Sequence, residues 1–408
     1  MGEDLKESII QYCSQVINNG IKPLVRENEN GAYIFDPVLE INRNRVNAEI
    51  LKSITRLEKL NVKIELSEYK GKLLKNILHN QNNDGSWNEI HSNYDEPSAL
   101  LTSFVAEAFL LDNHNDEKII SALKRAKDYV LSKEYYPGYF KKSNLNYADC
   151  LNVNATCGSF LARYGDIYNN KECLDAAERA AHRVCHHQFS NGAYPYTTKE
   201  RGYPYPYHYY VPCIHYQGVT MFFLSKIHSI LEEEWIKKSL MKGCNWLSSV
   251  QDEKGKFDWS KSGLMYAYTL AGSYAFATSS FVYTSQWDDR FLQNAKLSLN
   301  NIQKNTKDIV NRWEEASMIS ILEGIIDSIK TTFIGDYPIS HRLFRLGYGM
   351  YKQFARRRYS EKLEDKMFNK LSSLFNIEST WVEPSKNYPD LFNTSEVLDC
   401  LTSSLVDE

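Results

Sequence analysis

The sequence predicts an all-α protein built as an (α/α)6-type toroid, a closed ring of helical hairpins, with a helical C-terminal extension. Three observations lead to this prediction. A glycine turn recurs at nearly constant spacing, an amphipathic run precedes the turn, and an apolar run rich in small residues follows it. One hairpin cannot bury its own apolar face, so neighbouring hairpins must stack. An open right-handed solenoid would satisfy the same repeats and stays an alternative.

The recurring turn places an aromatic residue two positions after a glycine. The glycines are 54, 53, 54 and 63 residues apart. Glycine is expected to supply the positive φ that ends the preceding helix, and the ring is expected to pack as a wedge between adjacent hairpins. A sixth repeat that lacks the glycine is predicted near Trp313. The five turns are Gly31 with Tyr33, Gly85 with Trp87, Gly138 with Phe140, Gly192 with Tyr194, and Gly255 with Phe257.

The runs on the two sides of the turns differ in their apolar pattern. The preceding runs place apolar residues at i, i+3 and i+4, which predicts amphipathic outer helices over residues 69–81, 123–134, 177–188 and 241–251. The following runs are apolar almost all round, which predicts buried inner helices over 98–111, 151–167 and 216–231. Together they predict a toroid over residues 1–335 and an extension over 336–408.

Composition and charge limit the classes of function. The chain has 408 residues, of which 43% are hydrophobic and 24% are charged, and its net charge of −3 gives no reason to expect a nucleic-acid partner. The acidic start "MGEDLKESIIQYC" does not resemble a signal peptide, and no apolar run reaches about 18 residues. Eight scattered cysteines without a CxxC pair indicate reduced thiols. We therefore predict a cytoplasmic protein without a metal or cofactor; its oligomeric state is left open.

The richest group of chemically capable side chains lies in "KERGYPYPYHYYVPCIHYQG", residues 199–218. Its prolines exclude a helix interior, so it is predicted to be an ordered loop over the rim of the central cavity. Sugars stack on aromatic rings, and proton abstraction beside a uronate carboxylate needs a base and a cation. The predicted catalytic residues are His208 or His215 as base, Tyr209 or Tyr216 as acid, and Arg201 as carboxylate clamp. An aromatic lid packed only for stability is the alternative.

Acidic residues at corresponding places in different repeats favour a second mechanism. Two carboxylates that face each other across a cavity suit glycoside hydrolysis. Asp149 is the catalytic candidate of this kind, although each such acid would equally suit a helix N-cap. The asparagines inside the third inner run are notable because a buried amide needs partners. The remaining predicted substrate contacts are Tyr205, Tyr207, Asn152, Asn154, Asp95, Glu96, Trp259, Tyr266 and Trp287.

Three of the turns are also preceded by glutamine, in "QNNDGSW", "QFSNGAY" and "QDEKGKF". This pattern resembles the Q-x-x-x-G-x-W repeat of the terpenoid cyclase and protein prenyltransferase toroids. The resemblance implies the fold, whereas the D-x-D-D and D-D-x-x-D acids of the cyclases are absent; "QWDDRF" comes nearest. The prenyltransferase zinc ligands cannot be placed either.

The repeat style is also similar to a second group on the same architecture, which acts on carbohydrate. It includes six-hairpin glycosidases, uronyl hydrolases, N-acylglucosamine epimerases, and the helical domains of uronate lyases and uronyl C5-epimerases. Uncharacterised toroid proteins from bacterial exopolysaccharide gene sets share this style. The resemblance implies an enzyme of surface polysaccharide metabolism that acts on a glycan, by lyase or epimerase chemistry first and hydrolysis second. A terpenoid cyclase-like enzyme and a non-catalytic glycan-binding scaffold are the alternatives.

The C-terminal part of the chain has a different character. "HRLFRLGYGMYKQFARRRYSEK" interleaves arginine and lysine with apolar residues. This is typical of an amphipathic helix at an anionic membrane surface, which would place the protein at the inner face of the membrane. A docking helix with a solvated basic face is the alternative.

Overall fold

Two concentric sets of helices make up most of what the structure describes. The computed structural model describes residues 2–36, 41–90, 95–111, 116–144, 146–200, 210–258, 261, 271–305 and 391–406, with isolated positions at 322, 326, 329, 343, 346, 347 and 350. The inner helices are α2 (Asn44–Lys59), α4 (Ala99–Leu110), α6 (Leu151–Ile167), α8 (Ile214–Leu231), α10 (Ala271–Thr284) and the C-terminal helix (Leu391–Ser403). The outer helices are α1 (Glu3–Gln15), α3 (Lys70–His79), α5 (Glu117–Ser132), α7 (Lys171–His186), α9 (Glu234–Ser249) and α11 (Arg290–Asn305).

The inner helices form a closed ring. From α2 to α10 each inner helix packs against the next, α10 packs against the C-terminal helix, and the C-terminal helix packs against α2. Helices α3, α5, α7, α9 and α11 each pack on the inner helix before them, and α1 packs on the C-terminal helix. The predicted toroid is therefore confirmed over the open solenoid, because the first and last inner helices touch.

Apart from the isolated positions 343, 346, 347 and 350, the C-terminal extension is described only at its end. Residues 391–403 form an inner-ring helix between α10 and α2. The predicted sixth repeat near Trp313 and the basic residues of the proposed membrane helix lie outside the described residues. The domain boundary at residue 335 and the membrane contact therefore stay predictions.

Short antiparallel hairpins, which the all-α prediction did not include, precede three of the inner helices. Their strands are β1 (Val25–Asn28), β2 (Gly31–Asp36), β3 (Ile41–Asn42), β4 (Asn88–Ile90), β5 (Asp95–Pro97), β6 (Glu134–Tyr136) and β7 (Tyr139–Phe140). The strands pair in the orders β1-β2-β3, β4-β5 and β6-β7. They are two to six residues long, too short for their alternation to stand out in the sequence.

The five turn glycines have the positive φ that the repeat predicts, from 75° to 128°. From Gly85 onward, however, each lies six residues beyond the end of the outer helix and does not end it. Its role is close contact with the next outer helix. A Cβ at Gly192, for example, would lie 2.1 Å from the carbonyl oxygen of Lys242 in α9. The other four glycines meet α3, α5, α7 and α11 in the same way.

The glutamine of the repeated motif joins the turn to the same outer helix. The Gln188 side-chain amide donates to the Gly192 carbonyl at 3.0 Å and to the Ser239 carbonyl of α9 at 2.9 Å. Gln81 makes the corresponding pair of bonds, to Gly85 and to Ala122 of α5. Gln251 donates to Gly255 and to the Ser298 hydroxyl of α11. The motif therefore holds the fold together.

The aromatic wedges are confirmed in four of the five turns. Trp87, Phe140, Tyr194 and Phe257 are at most 2% exposed, and the Trp87 indole N–H donates to the Ile77 carbonyl at 2.8 Å. In the first turn Tyr33 is only half-buried, and its neighbour Ile34 takes the buried place.

The fourth residue of each inner helix from α2 to α10 fixes the register between turn and helix. Its side-chain oxygen accepts a hydrogen bond from the backbone N–H of the buried turn residue, as in Trp87 N to Thr102 Oγ1 at 3.0 Å and Tyr194 N to Gln217 Oε1 at 2.6 Å. The same bonds join Ile34 to Asn47, Phe140 to Asn154, and Phe257 to the Tyr274 hydroxyl. Equivalent positions along the inner helices can therefore be compared directly.

Gly192→Ala is expected to destabilise the fold by roughly 2–4 kcal/mol. The backbone at this position has a positive φ, and the added Cβ would overlap the Lys242 carbonyl group. The matched control is Gly71→Ala in the first turn of α3, where nothing lies within 4 Å of the added carbon. That change should stabilise the helix by up to about 1 kcal/mol. Urea unfolding of the two variants measures both; equal midpoints would contradict the close-contact role of Gly192.

Candidate active site at the mouth of the ring

The ring interior is lined by four equivalent positions of the inner helices. With 3.6 residues per turn, the second, sixth, ninth and thirteenth residues share one face. Cross-helix contacts occur between these positions, such as Arg45 with Glu396, Lys52 with Asp399, and Ser159 with Glu107. The second residues are Arg45, Leu100, Asn152, His215, Gly272 and Phe392. We call the end of the ring where these residues lie, at the start of the inner helices, the mouth.

His215 is held in place at the mouth by aromatic rings and a hydroxyl. It is 7% exposed, and its Nδ1 lies 3.0 Å from the Ser273 hydroxyl of α10. Its ring meets Phe276 and Tyr216 edge-on, with centroids 5.8 and 4.9 Å away. Tyr216 in turn stacks on Tyr196 at 4.2 Å. Two residues predicted to be catalytic, His215 and Tyr216, therefore lie together beside an aromatic pair.

Arg45 is fixed on the α2 side of the mouth. Its guanidinium lies between the rings of Phe104 and Phe392, at 4.2 and 4.4 Å from their centroids. It donates to Glu49 at 2.7 Å and to Glu396 at 2.8 Å. Burial raises the pKa of the Glu49 carboxyl, although the Arg45 charge opposes this.

Asn152 and Gly272 shape the remaining part of the mouth. Asn152 is 7% exposed, and its buried Oδ1 has no hydrogen-bond partner among the described residues. A buried amide oxygen of this kind calls for an explanation. At Gly272 an added Cβ would lie 2.1 Å from the Glu396 carboxylate, so the glycine leaves the space that this carboxylate occupies.

Below the mouth, a buried cluster of charges joins α2, α4, α8 and the C-terminal helix. The Lys52 ammonium lies 2.6 Å from Asp399 and 3.5 Å from Glu107, and Arg56 lies 2.5 Å from Asp399. Lys226 lies 3.5 Å from Glu107. Toward the end of the ring opposite the mouth lies a small cleft. It is lined by Lys52, Arg56, Glu107 and Lys226, together with Leu111, Ser159, Arg163 and Ile230. The charges pair with one another across helices, which indicates a structural cluster.

Asp149 and Asn154 have partners within the protein. Asp149 is 1% exposed and accepts hydrogen bonds from Arg183 at 2.8 Å, Thr198 at 2.8 Å and Asn154 at 2.8 Å. Asn154 also accepts from the Phe140 backbone as the register residue of α6. These contacts account for both side chains structurally; their predicted roles toward a substrate stay predictions.

Three further candidates contact other parts of the protein. Asp95 and Glu96 are on β5, where they accept from Asn88 at 2.6 Å and Ser143 at 2.9 Å. Trp287 packs against His228, at the other end of α8. His228 is thirteen residues from His215, or roughly 20 Å along the helix. The other predicted site residues lie outside the described part of the chain: Arg201, Tyr205, Tyr207, His208, Tyr209, Trp259 and Tyr266.

Three charged residues in or just below the mouth were not singled out from the sequence: Arg45, Glu49 and Glu396. The sequence does carry a signal: charged residues recur along α2 at i, i+4, i+7 and i+11, which places them on one stripe of the helix. They are Arg45, Glu49, Lys52 and Arg56. Their partners on the C-terminal helix could not be found in this way, because they lie about 350 residues away.

The described residues show no further chemical centre. No three His, Cys, Asp or Glu side chains in these ranges are arranged to hold a metal ion, and no helix among them has the length and hydropathy to cross a bilayer. All eight cysteines are free thiols. Burial raises the pKa of Cys157 and Cys244 to about 12, so these thiols are unreactive at neutral pH.

Comparison of the whole structure with solved structures gives the class: the chain is an α/α toroid. A sugar epimerase from a ruminal bacterium superposes with a TM-score of 0.58 at 13% identity, covering 73% of this chain and 87% of its own. Cellobiose 2-epimerase from Bacillus thermoamylovorans gives 0.59 at 8% identity, covering 73% and 88%.

An unsaturated glucuronyl hydrolase specific for heparin matches over nearly the full length. It gives a TM-score of 0.54 at 10% identity, covering 98% of this chain and 96% of its own. No family model matches the sequence, and no curated protein matches it.

Proposed function

We propose that this protein is a carbohydrate-active enzyme with its active site at the mouth of the ring. The observation that carries the proposal is that three features meet there: the His215 imidazole, the stacked Tyr196–Tyr216 pair, and the Asn152 amide oxygen, which has no partner among the described residues. A sugar hydroxyl would donate to the amide oxygen, and a sugar face would stack on a tyrosine ring. The named activities of the structural neighbours, epimerases and a glucuronyl hydrolase, support the same class.

Proton transfer at a sugar carbon is the chemistry that this mouth supports best. His215 would take the proton from the carbon beside a uronate carboxylate, and the electron pair would move into the carboxylate group. A fixed guanidinium stabilises such a developing enolate; Arg45, held between two rings, is the described candidate, and Arg201 remains the predicted one. Tyr216, whose ring touches that of His215, would protonate a leaving group on the same face for elimination, and the predicted acid Tyr209 would return a proton on the opposite face for epimerisation.

Glycoside hydrolysis is the second candidate, because Glu49 and Glu396 lie one helical turn below the mouth. Both carboxylates bind Arg45, and the raised pKa of Glu49 favours its protonated, acid form. A terpenoid cyclase is less well supported, since the described lining is rich in charged residues. We propose a cytoplasmic role in surface polysaccharide metabolism for either carbohydrate activity.

The test is to incubate the full-length protein with uronate-containing oligosaccharides in D2O and to follow the products by NMR. Deuterium on the carbon beside the carboxylate with inversion indicates epimerisation, and a new double bond indicates elimination. New reducing ends without either indicate hydrolysis. Sugars that return unchanged across galacturonate, glucuronate, mannuronate and guluronate oligomers would overturn the proposal.

A further inference from the structure

We propose that exposed tyrosines beside the mouth bind the chain of an acidic glycan, outside the position of the reacting sugar. We call Tyr135, Tyr136, Tyr147 and Lys141 the tyrosine strip. This inference rests on the proposed function, because it takes the polymer to be a substrate or product. It adds a binding site and a class of ligand, a polyuronate segment of several sugars.

The strip is exposed although its neighbours on the same hairpin are buried. Tyr135 and Tyr136 are each 53% exposed and Tyr147 is 40% exposed, whereas Tyr139 and Phe140 are at most 3% exposed. The rings of Tyr135 and Tyr136 lie 4.5 Å apart at 64°, and Tyr135 rests edge-on against Tyr139 at 5.7 Å. Tyr139 therefore holds the exposed rings from beneath. Ordered tyrosines offer a large contact area at a small cost in conformational entropy.

A cation lies within the strip. The Lys141 ammonium is 3.7 Å from the centroid of Tyr135 and 5.8 Å from that of Tyr147. Among the described residues it has no carboxylate partner, unlike the neighbouring Lys142, which pairs with Glu89 at 3.0 Å. Because this ammonium covers one face of the Tyr135 ring, a sugar would stack on Tyr147 or Tyr136 and hold its carboxylate toward Lys141. Charge-assisted bonds of this kind are strong. The combination favours an acidic glycan over a neutral one.

In the chain, the strip shortly precedes α6, one of the helices that form the mouth. Strands β6 and β7 lead into α6, whose second residue is Asn152. Beneath the strip, Tyr139 lies 5.3 Å from the Arg183 guanidinium. Arg183 also pairs at 2.8 Å with Glu200, the second residue of the 199–218 segment that is predicted to cover the mouth. A glycan that enters the mouth would pass over these tyrosines.

The experiment measures binding, and not turnover, by calorimetry with the full-length protein. The probes are hexamers of galacturonate, mannuronate and guluronate, with a neutral glucose hexamer for comparison. Tyr135→Ala combined with Tyr136→Ala, and Lys141→Ala alone, should each weaken polyuronate binding roughly tenfold, with rescue by Lys141→Arg. Ile120→Ala and Lys118→Ala on the exposed face of α5 are the matched controls and should bind like the unaltered protein.

The outcomes separate this inference from the proposed function. Loss of binding in the strip variants, with single-sugar or disaccharide turnover unchanged, supports the strip as a subsite. Unchanged hexamer affinity in both strip variants overturns it, as does absence of binding to all three polyuronates. Equal affinity for the neutral hexamer would also overturn it. If the strip binds polyuronates and no sugar is turned over, the proposed function fails and the strip remains a glycan-binding site.

Discussion

Asp399→Ala is expected to lower the free energy of unfolding by about 3–5 kcal/mol, the usual cost of removing one partner from a buried ion pair. Asp399 is 2% exposed and accepts from Lys52 at 2.6 Å and Arg56 at 2.5 Å, both of which are themselves buried. Its removal leaves two cations without this carboxylate between α2 and the C-terminal helix. Urea unfolding followed by circular dichroism measures the effect.

The matched control is Ser404→Ala, just beyond the same helix. The Ser404 hydroxyl donates only to the Leu401 carbonyl of its own turn, at 2.6 Å. Its loss should change the unfolding free energy by no more than about 0.5 kcal/mol. If Asp399→Ala were as mild as this control, the ion pairs would not hold the C-terminal helix in the ring.

The same pair predicts a loss of stability in acid. Burial raises the pKa of Asp399, but the Lys52 and Arg56 charges outweigh it and hold the pKa below its usual value. Because the pKa is lower in the folded state, ionised Asp399 stabilises the fold at pH values above its unfolded-state pKa of about 3.9. This stabilisation is lost as the pH falls through the folded-state pKa. Asp399→Ala should therefore flatten the fall in stability below about pH 4. An unchanged acid profile would contradict the assignment.

His215→Asn is expected to reduce kcat by roughly 10²–10⁴-fold on the sugar that the assay identifies, the usual contribution of general acid–base catalysis. Asparagine keeps a polar atom near the Ser273 hydroxyl but cannot exchange a proton at neutral pH. We expect KM to change little, because the aromatic pair and Asn152 remain.

A surface histidine provides the matched control. The His182 side chain is 61% exposed on α7 and stacks on Trp235 at 3.9 Å, outside the ring. His182→Asn should leave kcat within a factor of about 2. Thermal unfolding of both variants establishes that the fold is kept. A folded His215→Asn variant with unaltered kcat would remove His215 from the mechanism.

The sequence was sufficient to predict the toroid because its signals are local. Gly192, Gln188 and Tyr194 lie within seven residues, and all three serve one junction between a turn and the next outer helix. The pattern is repeated five times with its glycine, so each copy strengthens the others. The exception is the role of the glycine. It was expected to end its own outer helix, and the sequence did not show that it must instead lie close to the next outer helix.

The mouth could be predicted only in part, for a physical reason. His215 and Tyr216 were singled out because they belong to a conspicuous aromatic segment. Arg45 and Glu396 were not, because they become neighbours only when the ring closes across 351 residues. Asp149 was predicted to be catalytic and Asn154 to contact the substrate; the sequence does not reveal that Arg183 and the Phe140 backbone bind them.

The seam between the first and last described inner helices has a consequence for folding kinetics. Helices α2 and the C-terminal helix meet through residues about 350 positions apart, while most other junctions join adjacent repeats. Contacts this distant in the chain form late, because a long loop must lose its entropy before they contribute. We therefore expect neighbouring hairpins to assemble first. The contacts between α2 and the C-terminal helix, which close the ring, should form in a separate and slower phase. A circular permutant, in which the C-terminal helix is joined to α1 and new termini are made at another turn, should form its slow contacts at the new termini instead.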